Sequence, residues 1–286
     1  MGLERKLCAV VTYANSADAY FPWFLKHYGT EFGVDSIFVV TPNPAEFKGI
    51  NLGGLISVKG FPYDDGARGI FISNFVSSLL AYYKNVFVAD VDELIFVDPR
   101  ANQTLKEFCE SFTAPYITCR GFDVIEVPDD KPLDIKKSLF AQRKYGVLSA
   151  SMCKSTLTKI PINWGVGFHF CSYHPRFGMP EKGLYLAHLK FACTKKRKEI
   201  MGVVSEKVDY STPEIEKYSN ESIQNQHPIL QNKKFDKATT NIQPLFDRTE
   251  EFDQRFLTKI TIDTRDQIYR GGHFSDSVIS DLSCFV

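Results

Sequence analysis

The sequence predicts an α/β fold, a single mostly parallel central sheet flanked by helices, followed by a helical or irregular C-terminal extension. Three observations carry this. The chain opens on a buried strand, an amphipathic helix and a second buried strand; further short apolar runs follow as far as Phe191; and beyond Val208 the pattern gives way to charged and Asn/Gln-rich segments. With 286 residues and 44% hydrophobic content, the chain can bury one large core. We divide it into a domain over residues 1–208 and an extension over 209–286 packed on that domain.

Leu7 to Tyr13 is a continuous apolar run, read as the first buried strand, and Ala14 to Asp18 is the polar loop after it. A helix follows with Tyr20, Phe21, Phe24, Leu25 and Tyr28 on its apolar face; Pro22 is tolerated because it falls in the first turn. Gly33 ends the helix, Ser36 to Thr41 is the second strand, and Pro42-Asn43-Pro44 is a loop. Leu55 to Lys59 is a third strand, and Tyr63-Asp64-Asp65-Gly66-Ala67-Arg68 turns into a helix from Ile70 to Tyr83. The apolar strand from Asn85 to Phe96 comes next, then strands at Tyr116 to Cys119 and Asp123 to Val127, with a loop at Pro128 to Pro132. Ser149 to Ile160, Gly167 to Cys171 and Leu184 to Phe191 predict further sheet. Lys195-Lys196-Arg197-Lys198 opens a polar helix.

Charge and cysteine content narrow the function. Lys+Arg 34 balances Asp+Glu 34, so no global basic field recommends nucleic acid, and an anionic ligand must be met by local charge or a metal. The seven cysteines show no C-x-x-C spacing and read as reduced and buried. Nowhere do 18 apolar residues run together, and the start of the chain lacks a long apolar leader core; the expectation is a cytoplasmic protein with no signal peptide and no transmembrane segment. The 24 Phe and 13 Tyr predict an aromatic core rather than a row of sugar-stacking platforms.

Within Asn85 to Phe96, Asp90-Val91-Asp92 places two carboxylates one residue apart at the carboxyl end of an apolar run. On a strand both would project from one face and share a hard cation. Glu93 adds a third carboxylate, and carboxylates packed this closely repel unless a cation joins them. Oxygen ligands favour Mg²⁺ or Mn²⁺ over Zn²⁺, with phosphates completing the shell. The alternative is a solvated loop or a helix cap.

His169 and His188 each close a predicted strand, and a neutral imidazole there would add a nitrogen ligand that favours Mn²⁺. Lys190, two residues past His188, can meet phosphate. Asp64 and Asp65 precede Arg68, which can bridge a phosphate or a base carbonyl, with Asn74 on the same helix; the alternative is capping by either Asp and a solvated Arg. Lys195, Lys196, Arg197 and Lys198 form a solvated helix face that could also touch an anionic membrane surface. His27, His174, His227 and His273 read as structural.

Four stretches carry a family resemblance. They are Val10-Val11-Thr12-Tyr13 with Tyr20-Phe21-Pro22-Trp23-Phe24-Leu25-Lys26-His27-Tyr28; Ala67-Arg68 to Asn74 with Ala89-Asp90-Val91-Asp92-Glu93-Leu94-Ile95; Cys153-Lys154-Ser155-Thr156 to Gly167-Phe168-His169; and Leu186-Ala187-His188-Leu189-Lys190. In this order over residues 7–200, they resemble glycosyltransferases of the GT-A type, in the family-2-like group that is similar to glycosyltransferase family 92.

That resemblance implies a Rossmann-like GT-A domain and a metal-dependent transfer of a sugar from a UDP- or GDP-sugar to a glycan or other hydroxyl acceptor, with inversion at the anomeric carbon. It implies Mn²⁺ or Mg²⁺ held by Asp92 with Asp90 and His188, and Asp90 near the ribose. Thr12, Tyr13, Asp65, Arg68, Asn74 and Lys190 would line the donor. Asp123 or Glu126 would be the catalytic base, and Trp164 and His169 the acceptor side. Two other readings compete: a D-x-D phosphohydrolase or phosphotransferase with Asp90 as nucleophile and Asp92 as general acid, and a sugar-binding protein without turnover. The first usually carries its D-x-D on the opening strand, whereas two strand-helix units precede it here.

Overall fold

The computed structural model describes residues 4–17, 20–60, 64–173, 181–193, 195, 242–263, 268–271 and 279–285. In chain order its first half holds β1 (Lys6–Tyr13), α1 (Phe21–Phe32), β2 (Ile37–Thr41), β3 (Gly54–Ser57), α2 (Asp65–Leu79), β4 (Tyr83–Val88), β5 (Glu93–Val97), α3 (Leu105–Ser111), β6 (Tyr116–Thr118) and β7 (Arg120–Ile125). Then come α4 (Leu139–Gln142), β8 (Tyr145–Leu148), β9 (Ser155–Thr158), β10 (Leu184–Phe191), β11 (Ile242–Pro244), α5 (Leu245–Lys259), β12 (Ile260–Asp263), β13 (Ile268–Gly271) and β14 (Ile279–Asp281).

The first sheet runs β3-β2-β1-β4-β9-β6. Its first four strands are parallel, and β9 and β6 are each antiparallel to the neighbour before them. Alternation along β1 explains why helices cover both faces: Cys8 and Val10 join Phe21, Phe24 and Tyr28 of α1 in one cluster, and Ala9 and Val11 join Ile72, Val76 and Leu79 of α2 in another. α1 starts with Pro22 in its first turn and ends where Gly33, at φ 84°, returns its N–H to the Gly29 carbonyl. Asp64 caps α2 by accepting the Ala67 N–H at 2.5 Å.

The single sheet expected from the sequence is in fact two. A second six-stranded sheet runs β11-β14-β8-β7-β10-β5, mostly antiparallel, with β10 parallel to β7 and antiparallel to β5. The division falls at Ala89–Asp92, where the run read as one strand breaks: β4 stays in the first sheet and β5 pairs with β10 in the second. Tyr28 of α1 holds the join, its hydroxyl donating to the Glu93 carbonyl at 3.2 Å and accepting the Ile95 N–H at 3.1 Å. Gly167 to Cys171 is not a strand; it is a 3₁₀ turn over Val166–Phe168 beside an isolated bridge from Trp164 to Cys171. Tyr145–Leu148 is a further strand, outside the apolar runs that predict sheet.

In the described part of the C-terminal stretch, β11 and β14 belong to the second sheet, and β12 and β13 pair antiparallel as a separate two-stranded sheet. β14 pairs with β8, Leu245, Phe252 and Leu282 are buried in the main core cluster, and Arg120 is ion-paired with Asp253 at 2.5 Å. The cysteines among these residues are free thiols, all buried except half-buried Cys284. No described helix is long and apolar enough to cross a membrane.

Candidate active site

The strand order 3-2-1-4 reverses between β1 and β4, and ligands of parallel α/β sheets bind outside the carboxyl ends of the strands at such a reversal. Asp90 stands at that place. The Ala89 N–H bonds the Val11 carbonyl at 3.2 Å, the last link between the two strands before the chain turns. Asp90 and Asp92 therefore sit in a tight turn after β4, not on the strand. A reciprocal pair closes the turn: the Glu93 N–H donates to the Asp90 carbonyl at 2.9 Å, and the Asp90 N–H to the Glu93 carboxylate at 3.0 Å.

In this turn the two aspartates face different partners. Asp90 meets Arg68 at 2.9 Å and Lys154 at 3.3 Å. Burial opposes its charge, yet Arg68 and Lys154 outweigh that and hold the carboxyl down at about 2. Glu93 is fully enclosed and takes Lys154 at 2.5 Å; burial raises its pKa against the pull of that ammonium. Arg68 also binds Asp65 at 2.7 Å and lies between two rings, 5.7 Å from the centroid of Tyr13 and 4.6 Å from that of Phe168.

Asp92 turns instead to His188, Oδ2 to Nε2 at 3.4 Å, while Nδ1 of the same imidazole is 2.6 Å from Asp123. Strand register makes this assembly. His188 stands opposite Glu93 of β5 on one side and opposite Asp123 of β7 on the other, and the Leu189 N–H clamps the Asp92 carbonyl at 2.7 Å. Burial would strip the imidazole of its proton, but the Asp92 and Asp123 carboxylates outweigh it and raise the His188 pKa to about 9.

The remaining site residues named from the sequence divide. Tyr13 and Arg68, with Val40, Val58, Asp64, Ala67 and Phe71, line a mainly apolar cavity of about 190 Å³ beside the aspartate turn. Thr12 is buried on β1 with an Oγ1 that meets no hydrogen-bond partner. His169 has Nδ1 2.6 Å from the Ser151 carbonyl, and burial, then the Lys154 charge, lowers its pKa to about 3. Asn74 does not: it is exposed on α2, and six residues at about 100° each rotate it roughly 120° away from Arg68. Lys190 is half-buried with its ammonium 5.7 Å from the Phe191 ring.

Three expectations are corrected. Trp164 is 4% exposed and its indole N–H donates to the Ser155 carbonyl at 2.8 Å, so it is a core residue and offers no face to a sugar. Asp123, expected as a free carboxylate, is buried and hydrogen-bonded to Nδ1 of His188 at 2.6 Å. Glu126 is ion-paired with Arg143 at 3.1 Å and is likewise committed. Of the basic run, Lys195 is exposed, and Lys196, Arg197 and Lys198 lie outside the described residues, as do His174, His227 and His273.

No known family model matches the chain, and no curated protein matches it. The site is therefore read on its own chemistry. Among the described residues no three His, Cys, Asp or Glu side chains converge as a ready metal cluster, since Asp90 is turned to its two cations. Asp92 and His188 are the two side chains that could hold a divalent ion, which would have to displace the proton that the paired carboxylates keep on the imidazole. Oδ2 of Asp92 and Nε2 of His188 lie 3.4 Å apart, and Asp123 on the far imidazole nitrogen would serve such an ion as the outer carboxylate that orients the histidine.

Lys154 belongs to a stretch that carries the resemblance, but no site role was expected of it. Its signal was a lysine between Cys153 and the buried Ser155–Thr158 strand, where an ammonium must find a carboxylate.

Proposed function

We propose that the chain is a GT-A type glycosyltransferase that moves a sugar from a nucleoside diphosphate to a hydroxyl acceptor, with Mn²⁺ or Mg²⁺ bound through Asp92 and His188. The observation that carries this reading is the Asp92–His188–Asp123 line at the strand reversal of the parallel sheet, where one carboxylate-backed imidazole faces one carboxylate. A divalent ion there supplies positive charge against a leaving diphosphate.

The protein's own groups do the rest. The cavity beside Tyr13, Val40, Val58 and Phe71 suits a planar nucleobase, and Arg68 at its floor supplies N–H donors next to it. Asp90 holds Arg68 and Lys154 in place rather than meeting the metal, a change from the ligand role expected of it. Asp123 fixes the direction of His188, and Glu93 closes the turn that presents Asp92. The phosphohydrolase alternative loses ground because its proposed nucleophile, Asp90, is engaged by two cations.

A thermal-shift panel of UDP, GDP and their sugars, with and without Mn²⁺, tests the reading. A ligand at 100 times its Kd stabilises the native state by about 2.7 kcal/mol, so the donor should raise the midpoint by several degrees only with metal present. A flat panel counts against a nucleotide-sugar site.

A further inference from the structure

A second cavity, of about 230 Å³, opens between α1, β5, α4 and the 3₁₀ turn Ser283–Phe285. It shares no lining residue with the cavity beside Tyr13 and Arg68. We infer that it binds a small aromatic acid that carries a hydroxyl group, of the hydroxybenzoate kind. This inference stands apart from the transferase reading. The volume is below the roughly 300 Å³ of a drug-sized site, which limits the guest to about one ring.

Three features of the lining select that class. The first is an aromatic wall. Phe96 has the rings of His27, Phe140 and Phe285 at centroid distances of 4.6, 4.9 and 5.7 Å, and Phe140 lies 5.0 Å from Phe285. All four pairs are tilted rather than stacked flat, so the wall presents both ring faces and ring edges. A flat aromatic guest gains from such contacts beyond the area it buries, and an alkyl chain does not.

The second feature is a neutral acceptor within this wall. Nε2 of His27 lies 2.7 Å from the Ile95 carbonyl. A carbonyl only accepts, so Nε2 carries the hydrogen and Nδ1 of the neutral ring holds a lone pair. Burial keeps the ring neutral, its pKa lowered to about 4. Nδ1 meets no donor among the described residues, and a hydroxyl on the guest supplies one.

The third is a cationic rim. Lys26 and Lys137 both line the cavity and are exposed. The Lys26 ammonium donates to the Ile135 carbonyl at 3.1 Å, which uses one of its three N–H groups. Lys137 is 3.9 Å from Asp134 in a surface pair whose members are 69% and 43% exposed, a contact worth little in water. Against these two cations the lining holds one carboxylate, Glu31, whose Oε2 already accepts the Lys106 N–H at 3.0 Å. The rim therefore favours an anionic group over a cationic one.

Isothermal titration calorimetry at about pH 7 tests the inference, with 4-hydroxybenzoate, benzylamine and decanoate as probes. The proteins are wild type, the double variant Lys26→Met with Lys137→Met, and Thr30→Trp, which sets an indole at the cavity from an exposed position of α1. The expected result is submillimolar binding of 4-hydroxybenzoate to wild type, about 10-fold or more weaker binding to the lysine variant, no binding to Thr30→Trp, and no binding of benzylamine. Thermal midpoints of the variants report their folding, and the lysine variant decides alone if the indole disturbs α1. No binding of 4-hydroxybenzoate to wild type, or equal binding to wild type and the lysine variant, overturns the inference. Benzylamine or decanoate binding as tightly as 4-hydroxybenzoate overturns it as well.

Discussion

Asp123 lies 2.6 Å from Nδ1 of His188, on the strand adjacent to it in the second sheet, and so aims the opposite nitrogen of the ring at Asp92. On the proposed transferase reading, this carboxylate works through His188 and not at the reacting carbon. Asp123→Asn should therefore weaken Mn²⁺ affinity by about 10 to 100-fold, the usual cost of removing an outer carboxylate from a metal-bound histidine. Calorimetric Mn²⁺ titration in the presence of UDP or GDP would show it. Unaltered affinity with loss of turnover would restore Asp123 as a base.

Arg68 is held by Asp65, Asp90 and two aromatic rings, a planar arrangement that lysine cannot reproduce. Arg68→Lys should raise the donor KM by about 10-fold with a smaller effect on kcat. Steady-state kinetics with the preferred donor would measure the split.

Lys154 and Glu93 form an enclosed ion pair at 2.5 Å. Lys154→Met strands the buried Glu93 carboxylate and leaves Asp90 with Arg68 alone, and should cost about 3–5 kcal/mol of stability. Lys154→Met with Glu93→Gln should recover part of that cost. A denaturant double-mutant cycle reads the coupling, and simple additivity of the two single costs would show that the pair is not what anchors the turn.

His27 lies at 2.7 Å from the Ile95 carbonyl, and burial lowers its pKa to about 4. Its folded pKa is below the value of about 6.5 expected unfolded, so between these values the unfolded chain binds the extra proton. The His27 contribution is complete above pH 6.5 and is lost as pH falls toward 4. Because the ring is only partly buried, the loss should be on the order of 1–2 kcal/mol. Urea titrations across that range should show a flatter profile for His27→Gln than for wild type.

The legible parts of the molecule were those set by local pattern. The opening strand-helix-strand unit and the eight-residue β10 followed from apolar runs with clear ends. The break at Ala89–Asp92 was hidden because Val86 to Ala89 and Leu94 to Ile95 are apolar on both sides of it, so one run covers two strands in two sheets. The partners of Asp123, Glu126 and Trp164 were also out of reach of pattern. Each is fixed by a contact across sequence, with His188, Arg143 and Ser155 respectively, that only the register of the sheets and the loops between them brings about.

In the proposed transferase, Asp92 and His188 hold the ion that a nucleotide sugar needs. The most direct measurement is release of nucleoside diphosphate from UDP- and GDP-sugars by wild type, Asp92→Asn and His188→Ala, with Mn²⁺ and with chelator. The account predicts release that requires the metal and falls by about 10²-fold or more in both variants. Release that persists in chelator, or at the wild-type rate in Asp92→Asn, would contradict it.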